Sequence, residues 1–160
     1  MACAADDKRG FDHWVFTPFL LAFPEAEMPV VELSLPRHAS AVDVMAIGEA
    51  LGPLRDENIL LVGTGMSYHN LRRFLRPDKE ADEHSRQFNT WLHQAVTSFP
   101  SQRASALASW EDAPFAKECH PEAEHLLPLM FVAGAARTEP AHRDYNDTVM
   151  GKALSGFRFG

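Results

Sequence analysis

The stretch from Asn58 to Arg73, Asn-Ile-Leu-Leu-Val-Gly-Thr-Gly-Met-Ser-Tyr-His-Asn-Leu-Arg-Arg, constrains this chain more than any other. Ile59 to Val62 is a short aliphatic run between polar Arg55-Asp-Glu-Asn58 and Gly63-Thr-Gly65, the pattern of a strand covered on both faces. The two glycines let the chain turn sharply and approach a neighbour with no Cβ in the way. Ser67, Tyr68, His69 and Asn70 follow as a polar cluster. Chemistry in an open α/β sheet gathers at the carboxyl ends of strands, which singles out His69.

The segments before this stretch supply partners for it. Met28 to Leu35 reads as a strand with Pro29 at its start, where a missing donor is tolerated. From Ser40 to Leu54 the apolar residues Val44, Ile47, Leu51 and Leu54 recur at helical spacing. Strand, helix and strand joined by short connections predict a right-handed crossover between parallel strands. Further upstream, Phe11 to Phe23 is too apolar for a free tail and must pack against something. Asp12 is placed to cap a helix running to Leu21, bent or interrupted at Pro18.

Downstream the pattern is helical: a short helix over Leu71 to Leu75, a long amphipathic one over Asp78 to Val96, and another over Ser101 to Trp110. A loop runs between Pro114 and Pro121, an apolar helix spans Glu122 to Ala136 with Pro128 inside it, and Val149 to Phe159 alternates as a closing strand. The expected fold is α/β: a partial mixed-sheet core with flanking helices, containing one strand-helix-strand crossover.

With 160 residues, 46% of them hydrophobic, the chain can bury one sizeable core, so residues 1–160 are expected to form a single unit. A formal net charge of -7 and the lack of a basic run with interleaved aromatics argue against nucleic acid as a partner. The amino terminus has no apolar core of signal-peptide length, and no stretch reaches the ~18 apolar residues of a membrane span. Cys3 and Cys119 read as free thiols of a reducing compartment, so the expected location is cytoplasmic.

Eight histidines are more than average usage would give, and position has to separate them. His38, His84, His93 and His142 fall in surface contexts and read as solvated side chains. His13 sits within an apolar segment, where a hydrogen-bonded core histidine is the common case. His120 and His125 are five apart with Glu122 and Glu124 between them, a spacing that matches neither the His-Glu-x-x-His zinc pattern nor a closed structural zinc site. An independent metal site using His69, His120 and His125 with Glu122 or Glu124 would need those ligands preformed. Gly63-Thr-Gly65 is no dinucleotide fingerprint, because Tyr68 stands at the third glycine position; nucleophile elbow and phosphate loop are both absent. Cys119 beside His120 lacks an orienting third group for thiolate chemistry.

Three motifs in order carry a family resemblance: Arg9-Gly-Phe-Asp-His-Trp14, Leu61-Val-Gly-Thr-Gly-Met-Ser-Tyr-His-Asn-Leu-Arg72 and His120-Pro-Glu-Ala-Glu-His-Leu-Leu-Pro-Leu129, with Ser155-Gly-Phe-Arg-Phe-Gly160 at the end. Together they resemble the class III extradiol ring-cleavage dioxygenases, in the single-chain subgroup related to the catalytic subunit of protocatechuate dioxygenase and to DOPA extradiol dioxygenase. The resemblance implies O2-dependent opening of a catechol-type aromatic ring beside the diol, at a non-haem ferrous ion, Fe(II), with zinc in some members. It puts His125 at a metal-ligand position, His69 at the acid/base that handles the catechol proton, and His13 at a substrate-pocket position. A histidine with pKa near ~6.5 can take and return a proton at neutral pH, and a bidentate catecholate needs a metal with open adjacent positions.

Trp14 stands where that family has glycine. The chain also begins where the family is already at its middle, so two histidine ligands from the amino-terminal half are expected to be missing. The resemblance thus implies a single incomplete catalytic domain over residues 1–160, inactive alone. It would be marginally stable and dependent on a homo-oligomer or a complementing amino-terminal half. The alternative is a non-catalytic remnant or interaction module of the same fold.

Overall fold

The computed structural model describes residues 4–160, so Cys3 lies outside the described residues. The chain divides into two compact units, the first ending at Ser34 and the second running from Leu35 to Gly160.

The first unit is built on helix α1 (His13–Ala22). Asp12 caps it as its sequence predicts: the Oδ1 atom accepts from Trp14 N at 3.1 Å, and the backbone carbonyl accepts from Val15 N and Phe16 N. Glu32 in turn accepts the Asp12 amide at 2.9 Å. Pro18 stands within the helix without ending it. No residue of α1 is buried; Leu20 and Leu21 are 57% and 87% exposed, although so apolar a segment predicts burial. Residues 28–34 form no strand, and Val31 points into solvent.

The second unit opens with α2 (Ala41–Leu51), started by a reciprocal capping box in which Ser40 Oγ accepts from Asp43 N and Asp43 accepts from Ser40 N. A 3-10 turn (Gly52–Glu57) extends it. Then come α3 (Leu71–Phe74), α4 (Lys79–Thr97), α5 (Pro100–Ala108), α6 (Ala116–Cys119) and α7 (Leu127–Ala136), and the chain closes with β1 (Ala141–Val149) and β2 (Lys152–Phe159). Helices α2 and α7 cross closely because a Cβ on Gly48 would strike the Phe131 carbonyl and one on Gly134 would strike that of Met45. Around them Val44, Phe88, Leu92, Leu107, Leu126 and Met130 form the core.

The hairpin docks on α4. Its two-residue turn, Met150-Gly151, has φ of 51° and 85°, the left-handed pair that suits the twist of a two-stranded ribbon. Lys152 is fully buried and gives its ammonium to Asp82 Oδ1 at 2.8 Å and to the carbonyls of Met150 and Arg76. Ala153 N donates to Ser85 Oγ and Ser155 Oγ to Asn89 Oδ1, so one polar face of α4 reads the inner strand.

The α/β class stands, with one correction. Among the described residues the sheet is the antiparallel pair β1-β2, and the expected strand-helix-strand crossover does not form. Helix α2 is present, but residues 59–66 that follow it have no strand assignment. An extended backbone becomes a strand only where a neighbour supplies its ladder. Nor is this run covered on both faces: Ile59, Leu60 and Val62 are 44%, 69% and 44% exposed. The glycines do what their lack of a Cβ allows, lying against α7 and the residues before it. A Cβ on Gly63 would meet the Pro128 carbonyl and one on Gly65 that of His125.

Candidate active site

Two loops of the second unit build the site. The glycine run delivers Met66 to Asn70, and the segment from Glu118 to Leu126 lies across it. Met66 N donates to His125 O at 3.0 Å, His69 N to Cys119 O at 3.0 Å, and Asn70 Nδ2 to Glu118 O at 2.8 Å. Held this way, the imidazoles of His69 and His125 stack with centroids 3.3 Å apart and planes 15° from parallel. The sequence-predicted acid/base and metal ligand, 56 positions apart, are thus brought face to face.

Burial pushes the His69 pKa below its ordinary value, while the Glu124 carboxylate acts the other way. Glu124 Oε1 lies 3.4 Å from His125 Nδ1, with His125 half-buried and Glu124 at the surface. Beneath the pair sits His120, wholly buried, with Nε2 3.1 Å from the Ser67 carbonyl. A carbonyl can only accept, so Nε2 carries the proton and Nδ1, which has no hydrogen-bond partner, is bare. Burial lowers the His120 pKa to about 4 against the opposing pull of the Ser67 bond, and His69 and His125 lower it further.

A cavity of about 140 Å³ opens beside His125, walled by Gly63, Gly65, Ser67, Ser155 and Phe157 among others. Ser67 Oγ accepts from Ser155 N at 2.8 Å, which ties its polar rim to β2. A larger groove of about 340 Å³, lined from α2, α5 and α7, contains no histidine.

His13 belongs to the first unit, at the first turn of α1. Its Nδ1 lies 2.9 Å from Asp12 Oδ1 with the side chain 65% exposed, and its ring is 5.1 Å from that of Trp14. It is therefore not the core histidine that its apolar context suggests. His84 and His93 are half-buried rather than solvated, His84 stacking on Phe115 at 3.8 Å. Cys119 is a free, buried thiol whose pKa burial pushes up to about 12, which removes it as a nucleophile. Sequence reasoning missed His120 as a partner of Ser67, and missed Ser67 and Phe157 as cavity walls. The only available signal was the order of the motifs, since the bond from His120 spans 53 positions.

The donor set for a metal is incomplete in these residues. Among the described residues no group of three or more His, Cys, Asp or Glu side chains could hold an ion, and Glu122 and Glu124 do not make up the deficit around His125.

The site is thus a stacked histidine pair with a surface carboxylate beside it and a small cavity next to it, on loops leading into helices of an α/β protein. The chain belongs to the family described as the catalytic LigB subunit of aromatic ring-opening dioxygenase, which it matches over residues 1–157. It is 35% identical over 168 residues to dioxygenase tasH of Hapsidospora irregularis, covering 97% of this chain and 51% of that protein. It is 32% identical over 149 residues to a 4,5-DOPA dioxygenase extradiol of Beta vulgaris, covering 91% and 55%. A crystal structure of an uncharacterised protein from Escherichia coli K12 superposes with a TM-score of 0.83 at 28% identity, covering 96% of this chain and 64% of that one. The chain spans about half the length of the curated relatives it matches.

Proposed function

We propose that this chain carries part of an extradiol ring-cleavage site. In this reading His69 handles the proton of a catechol-type substrate, His125 supplies one ligand to a ferrous or zinc ion, and His13 lines the substrate pocket. The observation that supports it best is the 3.3 Å stack of His69 on His125 beside a cavity. The metal, when bound, would activate O2 and the diol together. The work of these residues is to hold a neutral imidazole against the reacting edge and keep a carboxylate, Glu124, beside it. Burial disfavours the charged form of His69 and so keeps the ring neutral, the form able to accept a phenolic proton.

The remaining metal donors come, in this reading, from a second polypeptide or a second copy of the chain. The open run at Ile59, Leu60 and Val62 is where such a partner would add its backbone. Both units are read as parts of one catalytic domain, in keeping with a family match that spans them. The cytoplasm is the place of action, consistent with the free thiol of Cys119; among the described residues no helix is long and apolar enough to cross a membrane.

A second reading, a non-catalytic module of the same fold, is favoured by the lack of a three-donor cluster among the described residues. Anaerobic calorimetric titration of ferrous iron into the purified chain separates the two. One-to-one binding that His125→Ala abolishes, followed by catechol-dependent O2 uptake, is the outcome expected when the site is completed within an oligomer. Absence of binding even after mixing with an amino-terminal half from a relative selects the module.

A further inference from the structure

We propose that His120 is the positioning residue of the His69–His125 pair: its Nε2–H, given to the Ser67 carbonyl, fixes the turn that presents His69 to the His125 ring. The inference deepens the reading above, since the pair it serves is the one assigned there to ring cleavage.

The two loops that carry the pair are joined by no sheet. The backbone bonds from Met66 and His69, and the side-chain bond from Asn70, hold the two flanks of the turn. Ser67 and Tyr68 lie between those anchors, and the rotation of that peptide decides where the next side chain, His69, points. His120 reaches into this gap. It is fully enclosed, with Phe88 at 5.2 Å and Trp110 edge-on at 6.0 Å, so its ring has no freedom to follow a wandering loop. The Ser67 carbonyl is therefore referenced to the core under α4 rather than to solvent. Ser67 Oγ receives Ser155 N, so β2 holds the hydroxyl of this residue and His120 holds its carbonyl. A buried carbonyl deprived of its donor turns to find another, and His69 turns with it.

The test uses the full chain labelled with 15N-histidine, with no metal and no substrate. In the wild type, His120 shows a neutral ring protonated on Nε2, and the His69 and His125 ring protons are displaced upfield by each other's ring current. His120→Gln, whose amide can reach the same carbonyl, keeps that displacement. His120→Leu, of similar bulk and without a donor, loses most of it while retaining the far-UV circular dichroism of the wild type. A core filler without a positioning role would give the same spectra for both variants.

The proposal is overturned by a His120→Leu chain that keeps the ring-current displacement, or by a wild-type His120 that carries its proton on Nδ1. Should His120→Leu fail to fold, the wild-type tautomer and the His120→Gln spectrum decide, and loss of the displacement in His120→Gln refutes it. Failure of the iron titration would leave every one of these readouts unmoved, so the two readings fail separately.

Discussion

Protonating His120 costs the folded chain more than the unfolded one. Its pKa is about 4 when folded against an ordinary value near ~6.5, so between these limits the unfolded state binds a proton that the native state refuses. The stability that the neutral ring contributes is complete above about pH 6.5 and is lost as pH falls through about 4. Roughly 3 kcal/mol is at stake over that window by the free-energy equivalent of the shift. Urea denaturation from pH 7 to pH 4 should show it as a falling midpoint, and His120→Gln should flatten the part of the slope below pH 6.5. An unchanged slope would mean the ring is wet.

One buried lysine ties the hairpin to α4. Lys152 is fully enclosed and its three donors are taken by Asp82, Met150 and Arg76, so Lys152→Met leaves the Asp82 carboxylate without its cation against the helix. The expected loss is ~3 kcal/mol, the lower end for breaking a buried pair because Asp82 keeps some solvent. Equilibrium unfolding in urea measures it, and a loss below ~1 kcal/mol would show that the hairpin docks through its apolar side chains alone.

The helices are legible in the sequence because their signals are local. Asp12 caps α1, the apolar spacing after Ser40 places α2, and Asp78 opens α4 with its side chain on Ala81 N. Strands need a partner, and the alternation that predicts β2 gives no hint that β1, polar and mostly exposed, would be its neighbour. The same holds for the site. Gly63, Gly65 and His69 stand out in one short run, whereas the bond from His120 to Ser67 joins segments that no local pattern connects.

The chain as a whole carries more apolar surface than its core absorbs. Leu21, Val31, Leu60, Leu75 and Phe99 are each at least 69% exposed. Surface of this kind marks an interaction site or an association hazard. Sedimentation velocity should therefore show concentration-dependent association at neutral pH. Leu60→Lys, placing a charge on the open run without touching the core, should shift the distribution toward monomer. No shift would place the contact elsewhere, with α1 as the next surface to charge.

The amides of Met66 and His69 sit in loops yet donate to carbonyls of the facing loop. Segments tied to each other in this way open together or not at all, as a small cooperative foldon does. Solvent exchange at either amide would then report one and the same excursion, the event that parts His69 from His125. For most of its lifetime the site would be whole; for a brief fraction it would be wholly absent, with few half-assembled forms between.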